Sequence, residues 1–160
     1  MQKSVGEKIL LCYNVHDFTT NIGRTDIQMK QTHIGAYGLI ENNGQILLTE
    51  HNNGPYKGLL DLPGGSFLHG ETARQCVTRE IEKDSDLDIN ELKLSDVLTD
   101  RIEWTNNNEK EDLHLICILF NIQATIKKLK DASLKWFKIN EIDRSLLTPI
   151  ATKALEEYNK

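Results

Sequence analysis

The sequence has few of the residues that mark disulfide-rich domains, and it has no long apolar run. Its three cysteines, Cys12, Cys76 and Cys117, are odd in number and show no CxxC spacing. Neither a disulfide framework nor a structural zinc site is therefore expected. No stretch approaches the roughly 18 apolar residues of a membrane helix, and no signal-peptide pattern is found. We expect a cytoplasmic protein with reduced thiols and no membrane partner.

An excess of positive charge is also missing. Nineteen Lys and Arg against 24 Asp and Glu leave a formal net charge of -5, which argues against a general nucleic-acid binder. At 39% hydrophobic and 27% charged residues, the composition is that of a globular protein. The 160 residues contain no repeat, low-complexity tract or linker, so we expect a single domain over residues 1–160.

Strand and turn patterns dominate the first half of the chain. Residues 8–18 and 33–41 have β-type content, and Asn42-Asn43-Gly44 is a hairpin signal that leads into a partner strand over 45–50. Residues 51–70 are rich in Gly and Pro and predict a loop.

A helix is expected next, because Thr72 and Gln75 form a capping-box pattern before apolar residues at helical spacing. It should end near residues 84–86. Two β-rich stretches, 92–104 and 113–126, flank a polar loop at 105–112, and a short strand follows at 134–139. Thr148 and Pro149 mark the start of a final helix. These elements indicate a mixed α/β or α+β domain.

Two carboxylates lie on the apolar stripe of the predicted central helix. At 100° per residue, Glu80 and Asp84 fall on the same side as Cys76. Charges on a core-facing stripe are unfavourable unless they are paired or coordinate a cation. The pattern therefore favours either a partly buried salt bridge, with Arg74, Arg79 or a distant Lys, or a metal site that faces a cleft.

The segment before this helix strengthens the second interpretation. Leu62-Pro63-Gly64-Gly65 allows a ligand to approach the backbone closely and leads to a helix N-terminus, which favours anions.

Residues 65–87 resemble the Nudix box of MutT-like hydrolases. The matching residues, at the family spacing, are Gly65, Glu71, Arg79, Glu80, Ile81 and Leu87. The resemblance extends over most of the chain and implies an α/β/α sandwich with a mixed central β-sheet.

The resemblance also implies a set of functional residues. Glu80 and Asp84, with the carbonyl of Gly64, would bind Mg²⁺ or Mn²⁺, and Gly64 and Gly65 would contact the substrate. Glu71 and Arg79 belong to the catalytic motif together with Glu80. We expect these two to form an ion pair that holds the loop against the helix, rather than to act on the substrate.

The box departs from the family at the metal site. Lys83 replaces a metal-binding Glu, and an ammonium cannot ligate a cation. Asp86 replaces the Gly that follows, which predicts a different helix end. Three outcomes remain open: one Mg²⁺ is retained, the Lys83 ammonium takes the metal's place and contacts the diphosphate, or catalysis is lost while ligand binding survives.

In the family, a general base often comes from a loop outside the box. The loop at 105–112 is the expected donor, and Glu111 is our candidate; the other carboxylates considered are Glu103, Glu109 and Asp112. His114, at a strand start, is expected to be structural.

The resemblance implies Mg²⁺-dependent cleavage of the diphosphate linkage in a nucleotide or nucleoside diphosphate derivative. The alternatives are a weakened or inactive domain that binds or senses a nucleotide, and a scaffold for protein contacts. A homodimer formed through the N-terminal strand is a further candidate, and no nucleic-acid partner is expected.

Overall fold

The computed structural model describes residues 29–158, which form a mixed β-sheet between two helices. Residues 8–18, predicted to be a strand and a dimer contact, and Cys12 lie outside the described residues. The strands are β1 (Met29–Asn42), β2 (Gln45–Glu50), β3 (Leu60–Asp61), β4 (Gly64–Ser66), β5 (Ser85–Asn106), β6 (Glu109–Leu129) and β7 (Leu134–Lys138). The helices are α1 (Ala73–Asp84) and α2 (Pro149–Tyr158).

The sheet is ordered β3-β2-β1-β6-β5, with β4 paired to β1 and β7 paired to β2. The β1–β6 pair is parallel, and the other pairs are antiparallel. Such a sheet with helices confirms the predicted mixed α/β fold class.

Alternation along the strands separates two hydrophobic clusters, because successive side chains point to opposite faces of a sheet. Ile46 and Leu48 of β2 belong to a cluster with Ile150 and Leu155 of α2. Leu47, between them, belongs to a second cluster with residues of α1. The sheet therefore lies between the helices, as in the expected α/β/α sandwich.

Local signals predicted the helix starts correctly. The Thr72 hydroxyl accepts a hydrogen bond from the Gln75 N–H, and the Gln75 side chain accepts one from the Thr72 N–H, so both halves of the capping box are present. At α2, the buried Thr148 hydroxyl accepts a hydrogen bond from the Ala151 N–H at 3.2 Å, with Pro149 as the first helical residue. In each helix, the N-cap hydroxyl thus accepts a hydrogen bond from a first-turn N–H group that has no partner within the helix.

The predicted loop at 105–112 is wrong in extent. β5 and β6 continue to a two-residue turn at Asn107 and Asn108, with φ of 49° and 66°. Asparagine tolerates this left-handed conformation, so the Asn pair was a hairpin signal, like the confirmed turn at Asn43-Gly44. Within the described residues, no helix has the length and apolar character needed to cross a membrane.

Candidate functional site

The glycine loop lies directly against the central strand. Gly64 pairs with Tyr37 and Gly65 with Ala36, and the Gly38 N–H donates to the Pro63 carbonyl at 2.9 Å. A Cβ atom on Gly64 would lie 2.4 Å from the backbone oxygen of Ala36, so only glycine fits this approach. The strand β4 thereby fixes the loop in front of α1.

Glu80 faces this loop. A Cβ atom on Gly65 would lie 2.9 Å from the Glu80 carboxyl carbon. The Glu80 side chain is only 14% exposed, as expected from its place on the apolar stripe of α1. The structure therefore brings together three of the residues that the sequence singled out: Gly64, Gly65 and Glu80.

Arg79 and Glu71 form the predicted ion pair. The Arg79 Nε and Nη2 atoms donate to the two carboxylate oxygens of Glu71 at 2.6 and 2.9 Å, and Nη2 also donates to the Ser66 carbonyl at 3.0 Å. Glu71 also accepts a hydrogen bond from the Leu68 N–H. The hydrogen bonds from Arg79 lower the pKa of Glu71 to about 2. The bidentate ion pair between Arg79 and Glu71 therefore holds the segment before α1 against that helix.

Arg79 also contacts Glu80, one of the two acids predicted to bind a metal ion. Its Nη1 atom donates to Oε1 of Glu80. Hydrogen bonds to Glu71 and Glu80 raise the pKa of Arg79 further above its usual range. The arginine thus orients both acids of the motif at once.

Lys83 lies between the two acids that were expected to hold a metal. Its Nζ atom donates to Oε2 of Glu80 at 3.2 Å and lies 4.0 Å from Oδ1 of Asp84. The hydrogen bond to Glu80 raises the pKa of Lys83, so the ammonium is charged at neutral pH. Both carboxylate oxygens of Glu80 therefore have a cationic partner.

Asp84 ends the helix and connects to a residue that the sequence did not single out. Its carbonyl accepts hydrogen bonds from the N–H groups of Lys130 and Asp131, after β6. Burial raises the pKa of Asp84, and the charge of Asp131 adds to this shift, while Lys83 opposes it. Asp131 is 47 residues away in the chain, and no motif connects it to the helix.

The helix α1 ends at Asp84, as predicted for residues 84–86, and Asp86 lies in β5. Ser85 follows α1 in extended conformation, with φ of −146°, and the chain enters β5 directly. Its hydroxyl donates to the carbonyl of Ile81. No left-handed residue is needed at this point, so a glycine is dispensable.

Glu80 and Asp84 are the two carboxylates on this side of α1 that could contact a divalent ion. Mg²⁺ retains waters and typically binds through one or two carboxylates plus substrate phosphates. In the described part of the chain, no group of three or more His, Cys, Asp and Glu side chains is arranged to hold a metal ion. Glu80 and Asp84 alone therefore provide fewer carboxylates than such a group would.

The structure does not bring Glu111 to this site. Glu111 pairs with Met29 and Gly65 pairs with Ala36, and the seven intervening steps on β1 span about 23 Å. Glu111 is buried and accepts a hydrogen bond from Asn106.

The other general-base candidates lie in the same hairpin. Arg101 binds Asp112 through two hydrogen bonds and Glu103 through one, while Glu109 follows the turn. His114 pairs with Arg101 across the strands. A cavity of about 630 Å³ adjoins these residues; its lining includes Lys30, Thr32, Arg101, Asp112 and His114.

Comparisons with known proteins agree with this architecture. Residues 29–158 match the family model described as NUDIX domain. The chain is 44% identical over 54 residues, 34% of its length, to an ADP-ribose pyrophosphatase of Methanocaldococcus jannaschii, of which the match covers 32%. It is 27% identical over 115 residues, 68% of its length, to Nudix hydrolase 5 of Arabidopsis thaliana, covering 36% of that protein. The chain thus spans about a third of the length of these relatives.

Solved structures show the same fold. A MutT protein from Bacillus halodurans superposes with a TM-score of 0.58 at 18% identity, covering 78% of this chain and 80% of that one. A NUDIX hydrolase from Nitrosomonas europaea superposes with a TM-score of 0.53 at 23% identity, covering 81% and 89%. At these identities, the likeness concerns the fold alone.

Proposed function

Since the chain belongs to the Nudix hydrolase family, we propose that it hydrolyses the diphosphate linkage of a nucleotide or nucleoside diphosphate derivative. The main support is the Glu80 carboxylate, which is confined against Gly65 and oriented by Arg79. Arg79 is itself held by Glu71. This arrangement presents a fixed carboxylate beside the glycine loop, and such fixed placement of a reacting group favours catalysis.

In the proposed reaction, a water oxygen forms a bond to one phosphorus, and the bridging P–O bond to the other phosphate breaks. The leaving phosphate takes the electron pair, and the water gives up a proton. We assign Glu80 to orienting this water, because it is the acid held at the loop, and the proton passes to the bulk solvent. Glu71 and Arg79 position Glu80 and the loop.

We assign Gly64, Gly65 and Lys83 to substrate binding. Gly65 lies next to Glu80 and follows Gly64, and the Lys83 ammonium is a suitable partner for phosphate oxygens. Glu80, Asp84 and the Gly64 carbonyl would hold one Mg²⁺ or Mn²⁺ ion. When bound, this ion would neutralise charge on the diphosphate.

ADP-ribose is the first substrate to test, because one relative is described as an ADP-ribose pyrophosphatase. The test is a panel of ADP-ribose, other nucleoside diphosphate sugars and nucleoside triphosphates with Mg²⁺ or Mn²⁺. Released phosphomonoesters are quantified by chromatography. We expect a Glu80→Gln variant to lose about 10²-fold or more in kcat.

No turnover above the Glu80→Gln background on any substrate would overturn the hydrolase proposal. If an intact nucleotide then stabilised the protein without metal, the domain would instead be a nucleotide sensor, the alternative function. The free, buried thiols of Cys76 and Cys117 support a reducing, cytoplasmic location.

A further inference from the structure

Lys83 occupies the position in which a divalent ion would join Glu80 and Asp84. Its ammonium is 3.2 Å from the oxygen of one acid and 4.0 Å from the oxygen of the other. These two acids are one helical turn apart on the same side of α1 and would repel each other without a cation between them. The lysine therefore already supplies a single positive charge to the pair.

The exposures of these side chains indicate which group must move when a metal ion binds. The Lys83 side chain is 64% exposed, whereas that of Glu80 is 14% exposed and that of Asp84 is 29% exposed. Arg79 and Gly65 confine Glu80 further. An incoming ion would therefore displace the ammonium, since Lys83 is the most exposed of the three side chains and Glu80 is held in place.

We propose that Lys83 is a built-in competitor for the metal site, which limits the site to one weakly bound divalent ion in the absence of substrate. This inference deepens the proposed function and rests on it for the identity of the site. A substrate diphosphate would supply further oxygen ligands for the ion, and its phosphate oxygens would also be a new partner for the Lys83 ammonium. Metal binding and substrate binding are thereby coupled through Lys83.

The test measures Mn²⁺ binding to the full chain without substrate, by electron paramagnetic resonance and by calorimetry. We expect the Lys83→Gln variant to bind one Mn²⁺ about tenfold or more tightly than the wild type, which corresponds to about 1.4 kcal/mol or more. The Lys83→Glu variant should bind Mn²⁺ more tightly still, because it adds a third carboxylate. The Lys83→Arg variant should resemble the wild type, because it keeps the positive charge.

Lys93→Gln is the matched control. Lys93 is 69% exposed and pairs with Glu91 at 2.9 Å, so this variant also removes an exposed, paired lysine. We expect it to leave Mn²⁺ binding unchanged. Thermal unfolding of each variant establishes that the fold is retained.

Equal Mn²⁺ affinity in the wild type, Lys83→Gln and Lys83→Glu would overturn the proposal, and so would an absence of measurable binding in all three. A separate turnover assay distinguishes this failure from failure of the proposed function. Hydrolysis with unchanged Mn²⁺ affinity in the variants refutes the role of Lys83 alone. Tighter Mn²⁺ binding in the variants without turnover by any protein supports the role of Lys83 and refutes the hydrolase.

Discussion

A Cβ atom on Gly65 would lie 2.9 Å from the carboxyl carbon of Glu80, closer than real Cβ contacts allow. The glycine and the glutamate are 15 residues apart in the sequence. They meet because β4 pairs with β1 while α1 packs against the same strand. Because Gly65 has no side chain, the Glu80 carboxylate can lie directly against its backbone.

A Gly65→Ala substitution tests this relationship. The added methyl group must push the Glu80 carboxylate away, and Arg79 and Lys83 restrict where it can go. We expect kcat to fall by about tenfold to 10²-fold, because small displacements of reacting groups are sufficient for losses of this size. Steady-state kinetics on the best substrate measures the effect. Ser66→Ala is the control, since its exposed side chain is truncated while its carbonyl still accepts from Arg79; equal losses in both variants would contradict this explanation.

The ion pair between Glu71 and Arg79 predicts a pH dependence of stability. The pKa of Glu71 is lowered from 4.5 to about 2 in the folded protein, chiefly by hydrogen bonds from Arg79. Its stabilising contribution is therefore complete above about pH 4.5 and declines as the pH falls toward 2. Urea unfolding of the wild type and Glu71→Gln should show a free-energy difference at pH 7 that shrinks below pH 4.5.

Glu82→Gln provides the comparison, because Glu82 is an exposed residue of the same helix. We expect its free energy of unfolding to follow that of the wild type through the acid range. A difference between wild type and Glu71→Gln that stays constant down to pH 3 would show that the pair does not stabilise the fold through its charge.

Glu111 provides a test of the general-base prediction. The register places it about 23 Å along β1 from the level of Gly65. We expect Glu111→Gln to retain most of the wild-type kcat/KM, since glutamine can still accept the hydrogen bond from Asn106. If Glu111→Gln instead loses as much activity as Glu80→Gln, the hairpin carboxylate takes part in the reaction, as the family resemblance implied.

Asp61 precedes the glycine loop in the chain and is held by two contacts. This buried carboxylate accepts hydrogen bonds from the Leu62 N–H at 2.8 Å and pairs with Nε2 of His51 at 3.0 Å. We expect Asp61→Ala to lower the free energy of unfolding by about 1–3 kcal/mol, because it leaves the buried Leu62 donor without a partner. Urea unfolding measures the change. Asp61→Asn keeps an oxygen acceptor and should be milder; an equal loss in both would identify the charge as the important property.

Features that depend on neighbouring residues could be predicted well from the sequence. The capping box of Thr72 and Gln75, the turn at Asn43-Gly44 and the cap at Thr148 each combine backbone geometry with a side chain a few positions away. The turn at Asn107-Asn108 carried the same kind of signal, but the polar residues around it suggested a longer loop. Those polar residues belong to strands because each pairs with a partner across the hairpin.

The sequence by itself determined the two helix starts, the first hairpin and the motif that contains Glu71, Arg79 and Glu80. Each depends on spacing within one segment, where the period of a helix or turn fixes the neighbours. Only the tertiary structure decided that Lys83 bridges the two acids, that Asp131 adds its charge to Asp84, and that Glu111 lies far away. Strand register and side-chain rotamers control these relationships, and both are set by packing between segments distant in the chain.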